Sequence, residues 1–210
     1  MTDVLCRKTT TCSFLMVLAA SAWVVLTSSV CAQEVDEAKA TKVKAAYLYN
    51  FTKFIQWPDT AFEDDKAPFV IGVLGDDPFG RILDDTVRGK KIAERSVKIR
   101  RLSWKEEEGR TSLRSCHILY ISDSERYRLD DILAALEQRP VLVVSDVREF
   151  ASDGGMIGFV LEQGRIIFEV NREALERAEL KASSKLLKLA RIVEPSGRPA
   201  RESRVGTRRP

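Results

Sequence analysis

Residues 154–191, GGMIGFVLEQGRIIFEVNREALERAELKASSKLLKLAR, decide how this chain is read. Pairing two strands about Gln163-Gly164 sets Glu162 opposite Arg165. Ile157, Phe159 and Leu161 then stack against Val170, Phe168 and Ile166 on one side, an apolar face with a period of two. On the other side Val160 faces Ile167 and Gly158 faces Glu169, with Glu162 and Arg165 expected as an ion pair at the tip. Asn171 fits an N-cap, with Glu173 in the first helical turn where the dipole favours it. Ser183 or Ser184 is a second cap, ahead of Leu186, Leu187, Ala190 and Val193. The stretch predicts a β-hairpin feeding two short helices, and no catalytic group is evident in it. Gly154-Gly155 reads as a turn requirement rather than a phosphate cradle, since no helix N-terminus directly follows it.

Upstream, short apolar runs alternate with helical patterns. Residues 37–57 place Val43, Tyr47, Phe51, Phe54 and Ile55 near helical spacing, and Pro58 ends the run. Phe69–Leu74 and Cys116–Ile121 are continuously apolar, as is Val141–Val144, the mark of strands buried on both faces. Ser96–Leu102 alternates weakly and carries Lys and Arg, as an edge strand does. Helices are expected from Asp77 (N-cap, with Pro78 at the first position) to about Thr86, near Leu129–Glu137, and briefly through Phe150-Ala151. The fold expected is α/β: a three-layer, mostly parallel sheet flanked by helices, closing with the antiparallel hairpin and two short helices.

Residues 1–32 are expected to be a secretory signal peptide. Arg7 and Lys8 precede an apolar run from Phe14 to Leu26, and Val30-Cys31-Ala32 supplies small residues for cleavage after Ala32. That run is shorter than the roughly 20 residues a membrane span needs; an uncleaved anchor is the alternative. Removing it takes Cys6, Cys12 and Cys31 and leaves Cys116, so the exported chain has no intrachain disulfide to form. Residues 33–193 are long enough for one self-sufficient core. The remainder, 194–210, holds Arg198, Arg201, Arg204, Arg208 and Arg209 with almost no apolar side chain, and is expected to be a disordered basic tail. The chain's formal net charge is only +3. With no basic stripe interleaved with aromatics, nucleic acid is not an expected partner.

Three strand ends share one chemistry: Gly75-Asp76-Asp77, Ser122-Asp123-Ser124 and Ser145-Asp146. In an open parallel sheet they lie along the carboxyl edge, where α/β proteins place ligands. Asp76, Asp77, Asp123, Ser145 and Asp146 therefore form a candidate ligand edge, and convergent carboxylates there would suit a hard cation. Helix capping is the plainer reading of the same residues. His117, the only histidine, neighbours Cys116, but adjacent strand residues point to opposite faces, which prevents a nucleophile pair. A zinc site lacks ligands, and no nucleophile elbow, P-loop or dinucleotide fingerprint is present. No catalytic residue, metal site or cofactor is assigned. The first helix is aromatic on more than one side: Tyr47, Tyr49, Phe51, Phe54 and Trp57 read as core packing, with a partner or self-association surface as the alternative for those left exposed.

Several segments together resemble the YfiR family of exported bacterial proteins: KAAYLYNFTKFIQWP (44–58), VIGVLGDDPFG (70–80), CHILYIS (116–122), VLVVSDVREFASDGGMIGFV (141–160), RIIFEVN (165–171) and SSKLLKLARIV (183–193). The resemblance implies a periplasmic, non-enzymatic repressor that engages the sensor part of an inner-membrane diguanylate cyclase and limits cyclic di-GMP. It also implies an OmpA-like outer-membrane lipoprotein able to sequester the repressor, and a capacity to dimerise. Placement within the shared motifs makes Tyr47, Asn50, Phe51 and Trp57, or Gly154, Gly155 and Met156, candidate partner contacts. Relatives beside histidine kinases make a periplasmic ligand- or metal-sensing module linked to such a kinase the alternative. Studied relatives carry disulfides; this chain, with Cys116 alone after export, does not inherit that feature.

Overall fold

Phe69–Leu74, Ile118–Ile121 and Leu142–Ser145 are buried at every position, and such strands are stable only with cover on both faces. They form the centre of the sheet. The computed structural model describes residues 37–105 and 107–196. In chain order the elements are α1 (37–54), β1 (Ile55–Gln56), β2 (Phe69–Leu74), α2 (Arg81–Val87), β3 (Lys91–Ile92), β4 (Arg95–Leu102), α3 (Glu107–Ser112), β5 (Ile118–Ile121), α4 (Leu129–Ala135), β6 (Leu142–Ser145), β7 (Ile157–Glu162), β8 (Arg165–Asn171), α5 (Arg172–Arg177), β9 (Lys181–Ala182), α6 (Ser184–Leu189) and β10 (Arg191–Val193).

The main sheet runs β10-β8-β7-β6-β5-β2-β4-β3, and a separate ribbon pairs β1 with β9. From β4 to β7 all neighbours are parallel. The step from β2 to β4 and the steps through β5 to β6 travel in opposite directions across the sheet. Right-handed crossovers then place α2 on one face and α3 and α4 on the other, so the expected three layers are present. The face shared by Phe69, Tyr120, Val144 and Phe159 receives α1. Phe51 of α1 stacks on Phe159 and meets Phe168 edge-on, with Tyr47 closing the cluster.

The hairpin has the register expected of it, from Ile157 opposite Val170 to Glu162 opposite Arg165. Asn171 caps α5 through Ala174 N–H, and of the two serines Ser183 caps α6 through Leu186 N–H. The tip ion pair differs: Glu162 binds Arg191 of β10 at 2.7 Å. Arg191 arrives on the same side of the sheet because β10 adds in parallel to β8, with Arg191 level with Glu169.

Three helical expectations are corrected. The first helix stops at residue 54, because residues 55–56 turn extended to pair with β9, and Phe54 C=O accepts Ser183 N–H at 2.8 Å. Asp77 does not cap a helix: it accepts Phe79 N–H in a local turn, and α2 starts only after Gly80, whose φ is 49°. The helix through Phe150-Ala151 is a run of turns instead. Glu149 and Gly154 take positive φ there, which a helix cannot accommodate. Ser196 is held by Ser152 and Asp153. Residues 1–36 and 197–210, with the signal segment, its three cysteines and the arginines of the tail, lie outside the described residues.

Gly155 is required by a close approach. A Cβ there would lie 2.3 Å from the ring of Phe150, which is itself buried. Gly155→Ala is expected to cost about 1–3 kcal/mol by overpacking, read as a lower urea midpoint with an unchanged slope. A midpoint equal to the parent would show that the ring can yield.

Candidate functional site

The carboxyl edge of the parallel strands brings the predicted residues near one another but commits them to separate jobs. Asp146 follows β6 and meets Lys44 of α1 at 2.5 Å, with both side chains about four-fifths buried. This pair ties the first helix to the sheet edge. Beneath it lies the hydroxyl of Tyr120. Burial pushes that hydroxyl's pKa far up, and the neighbouring Asp146 carboxylate adds to the rise, followed by Asp123 and Asp77. Tyr120 is therefore a neutral donor at this edge.

Asp77 is claimed by Arg101 of β4 at 2.7 Å, and the same guanidinium reaches Asp84 at 2.6 Å and the Gly80 carbonyl at 2.9 Å. The hydrogen bond from Arg101 holds the Asp84 carboxyl below the usual range. Ser145 is fully buried, its hydroxyl donating to Ile121 C=O and accepting Val147 N–H. Asp123 is exposed, beside Arg126 at 3.5 Å. The crevice between β2 and β5, the place where chain direction reverses, is filled. Ser124 Oγ accepts Asp76 N–H at 3.0 Å, and a Cβ on Gly75 would lie 2.4 Å from that oxygen. Among the described residues no three His, Cys, Asp or Glu side chains are placed to share a metal ion. The edge is a clamp on its own loops.

Cys116 and His117 point apart. Cys116 Sγ packs where a Cβ on Gly72 would be, and His117 stacks between Phe62 and Phe69; Gly72 and Phe69 lie on opposite faces of β2. Burial pushes the Cys116 thiol up to about 12, which keeps it protonated and inert. His117 Nδ1 accepts Val70 N–H at 3.0 Å, and burial lowers its pKa to about 4.

The first-helix candidates divide. Phe51 is wholly buried, and Tyr47 and Asn50 are half-buried. Trp57 lies against Phe69 and donates to His117 C=O at 3.2 Å. Tyr49 is half-buried at the margin of the core, with the ammonium groups of Lys53 and Lys90 over its ring at 4.6 and 4.1 Å. Gly155 and Met156 are buried, Met156 accepting Val143 N–H at its sulfur, while Gly154 stays at the surface with φ 107°. Lys44, Tyr120 and Arg101 were missed as parts of the edge. Lys44 and Tyr120 lie inside the motifs 44–58 and 116–122, whereas the place of Arg101 depends on which strands become neighbours.

No helix among the described residues is long and apolar enough to cross a membrane. No curated protein matches the chain. A family model described as YfiR/HmsC-like matches residues 41–191. That span takes in the helix whose Lys44 grips Asp146, the plugged edge, and the hairpin as far as the arginine that fastens it, and by that match the chain belongs to the YfiR/HmsC-like family.

Proposed function

We propose that this protein is a periplasmic regulator that acts by binding, repressing the sensor part of an inner-membrane signalling protein, with a diguanylate cyclase as the target. Its family membership across residues 41–191 is the observation that carries this reading. The export segment, residues 1–32 with cleavage after Ala32, supports it from the sequence side. The carboxyl edge gives no support to a solute- or metal-sensing role, because Asp77 and Asp146 are held by Arg101 and Lys44 and the crevice is filled by Ser124.

Repression across a membrane requires the regulator to bind the inactive state of its target better than the active one. Shifting a two-state target from almost all active to almost all inactive takes about 5.5 kcal/mol of differential affinity. Tyr47, Asn50, Trp57 and Gly154 are the proposed contacts, with Phe51, Gly155 and Met156 supporting them from inside. An OmpA-like lipoprotein that sequesters the regulator, and a homodimer, belong to the same proposal. Deleting the gene is expected to raise cellular cyclic di-GMP and surface attachment, and restoring it in trans to reverse both. Unchanged cyclic di-GMP with the neighbouring cyclase expressed would overturn the reading.

A further inference from the structure

On the sheet face opposite α1 a groove of about 520 Å³ lies between α4 and α5. A parallel β6–β7 connection usually carries a helix; here it is a run of turns, which leaves this part of the sheet thinly covered. Val143 and Met156 form the floor, Leu133 and Ala178 the walls. The rim is acidic, with Asp130, Glu137 and Asp153. Arg177, the basic residue of the lining, is paired with Glu173 at 2.5 Å.

Pro195 and Ser196 also line the groove. Ser196 is fastened there by its N–H to Ser152 C=O at 2.8 Å and by its hydroxyl to Ser152 C=O at 3.0 Å and Asp153 at 3.2 Å. The chain is thus delivered to the groove at its last described residue. Beyond it come 14 residues with five arginines against the single acid Glu202. Fully extended, that length reaches about 46 Å, more than enough to cross the groove and both helices beside it.

We propose that residues 197–210 dock back into this groove, so that the arginine tail is the occupant of its own domain's acidic cleft. Guanidinium groups meet Asp130 and Glu137, and the arginine stems cover the apolar floor, as long cationic side chains do. Tethering at Ser196 gives the tail an effective concentration in the millimolar range, so contacts too weak to hold a free peptide suffice. Ordering every residue costs about 1–2 kcal/mol each, so the contacts concentrate at a few arginines. A partner that uses this groove has to displace the tail first.

Amide NMR spectra of the chain from Gln33 to Pro210 and of the same chain stopped after Ser196 test this. The expected differences fall on Leu133, Ala134, Val143 and Ala178, and survive roughly tenfold dilution. They fade in about 0.5 M NaCl, where screening acts within a few ångströms. In the full-length chain, Asp130→Lys with Glu137→Lys is expected to reproduce the truncated spectrum at those positions. Unchanged groove amides, differences confined to another surface, or differences that vanish on dilution, as a second copy would give, overturn the proposal. No signalling partner enters the measurement, so its outcome is independent of the proposed function.

Discussion

Phe51→Ala is expected to cost about 3–5 kcal/mol of folding stability. The ring is fully buried and stands 6.0 Å from Phe159, 5.5 Å from Phe168 and 6.1 Å from Tyr47. The loss combines the transferred apolar area, the cavity left behind, and aromatic contacts worth about 0.5–1.5 kcal/mol beyond area. A domain of this size holds roughly 5–15 kcal/mol in total, so the loss is a large share of it and lowers the amount of protein in the cell. A rise in cyclic di-GMP from it would report lost protein rather than a lost contact. Urea unfolding separates the two: a parent-like midpoint together with lost repression would make Phe51 an interface residue and refute the packing described for α1.

The second large effect is on pH. His117 has an ordinary pKa of 6.5 when exposed and about 4 in the fold, because burial between Phe62 and Phe69 disfavours the cation. Above pH 6.5 both states are neutral and the fold keeps its full stability. As pH falls from 6.5 towards 4 the unfolded chain takes up a proton that the folded chain refuses, so stability drops. Allowing for partial solvent screening, the loss is roughly 2–3 kcal/mol over that window. Because His117 is the only histidine, the slope between pH 6.5 and 5.5 is assigned to it. His117→Asn, which retains an acceptor for Val70 N–H, is expected to be less stable at pH 7.5 and nearly flat down to pH 5.5. A parent slope that persists in this variant would remove His117 as its source.

The hairpin register was legible because a one-residue slip would exchange every side chain between faces, and only one choice keeps Ile157, Phe159, Phe168 and Val170 together. The caps Asn171 and Ser183 were legible because capping is local, between a side chain and an amide three residues on. Local rules failed where a distant strand competed. Residues 55–56 leave the helical pattern for β9, some 125 positions later, and Glu162 prefers Arg191 to the facing Arg165. Arg101 reads as solvating charge on an edge strand, yet in the fold it clamps Asp77 and Asp84 together.

The sequence by itself determined the alternation of buried strands and helices, the hairpin, its two helices, and the family, since each rests on periodicity or on residues close in the chain. Only the tertiary structure decided what the carboxylates at the strand ends do. Their types and positions permitted a ligand edge, but Lys44 and Arg101 reach Asp146 and Asp77 from other elements, and Ser124 fills the crevice by accepting Asp76 N–H. It also decided which aromatics of α1 belong to the core and that Ser196 lies at an acidic groove. Those outcomes depend on contacts between segments far apart in sequence, which no local pattern records.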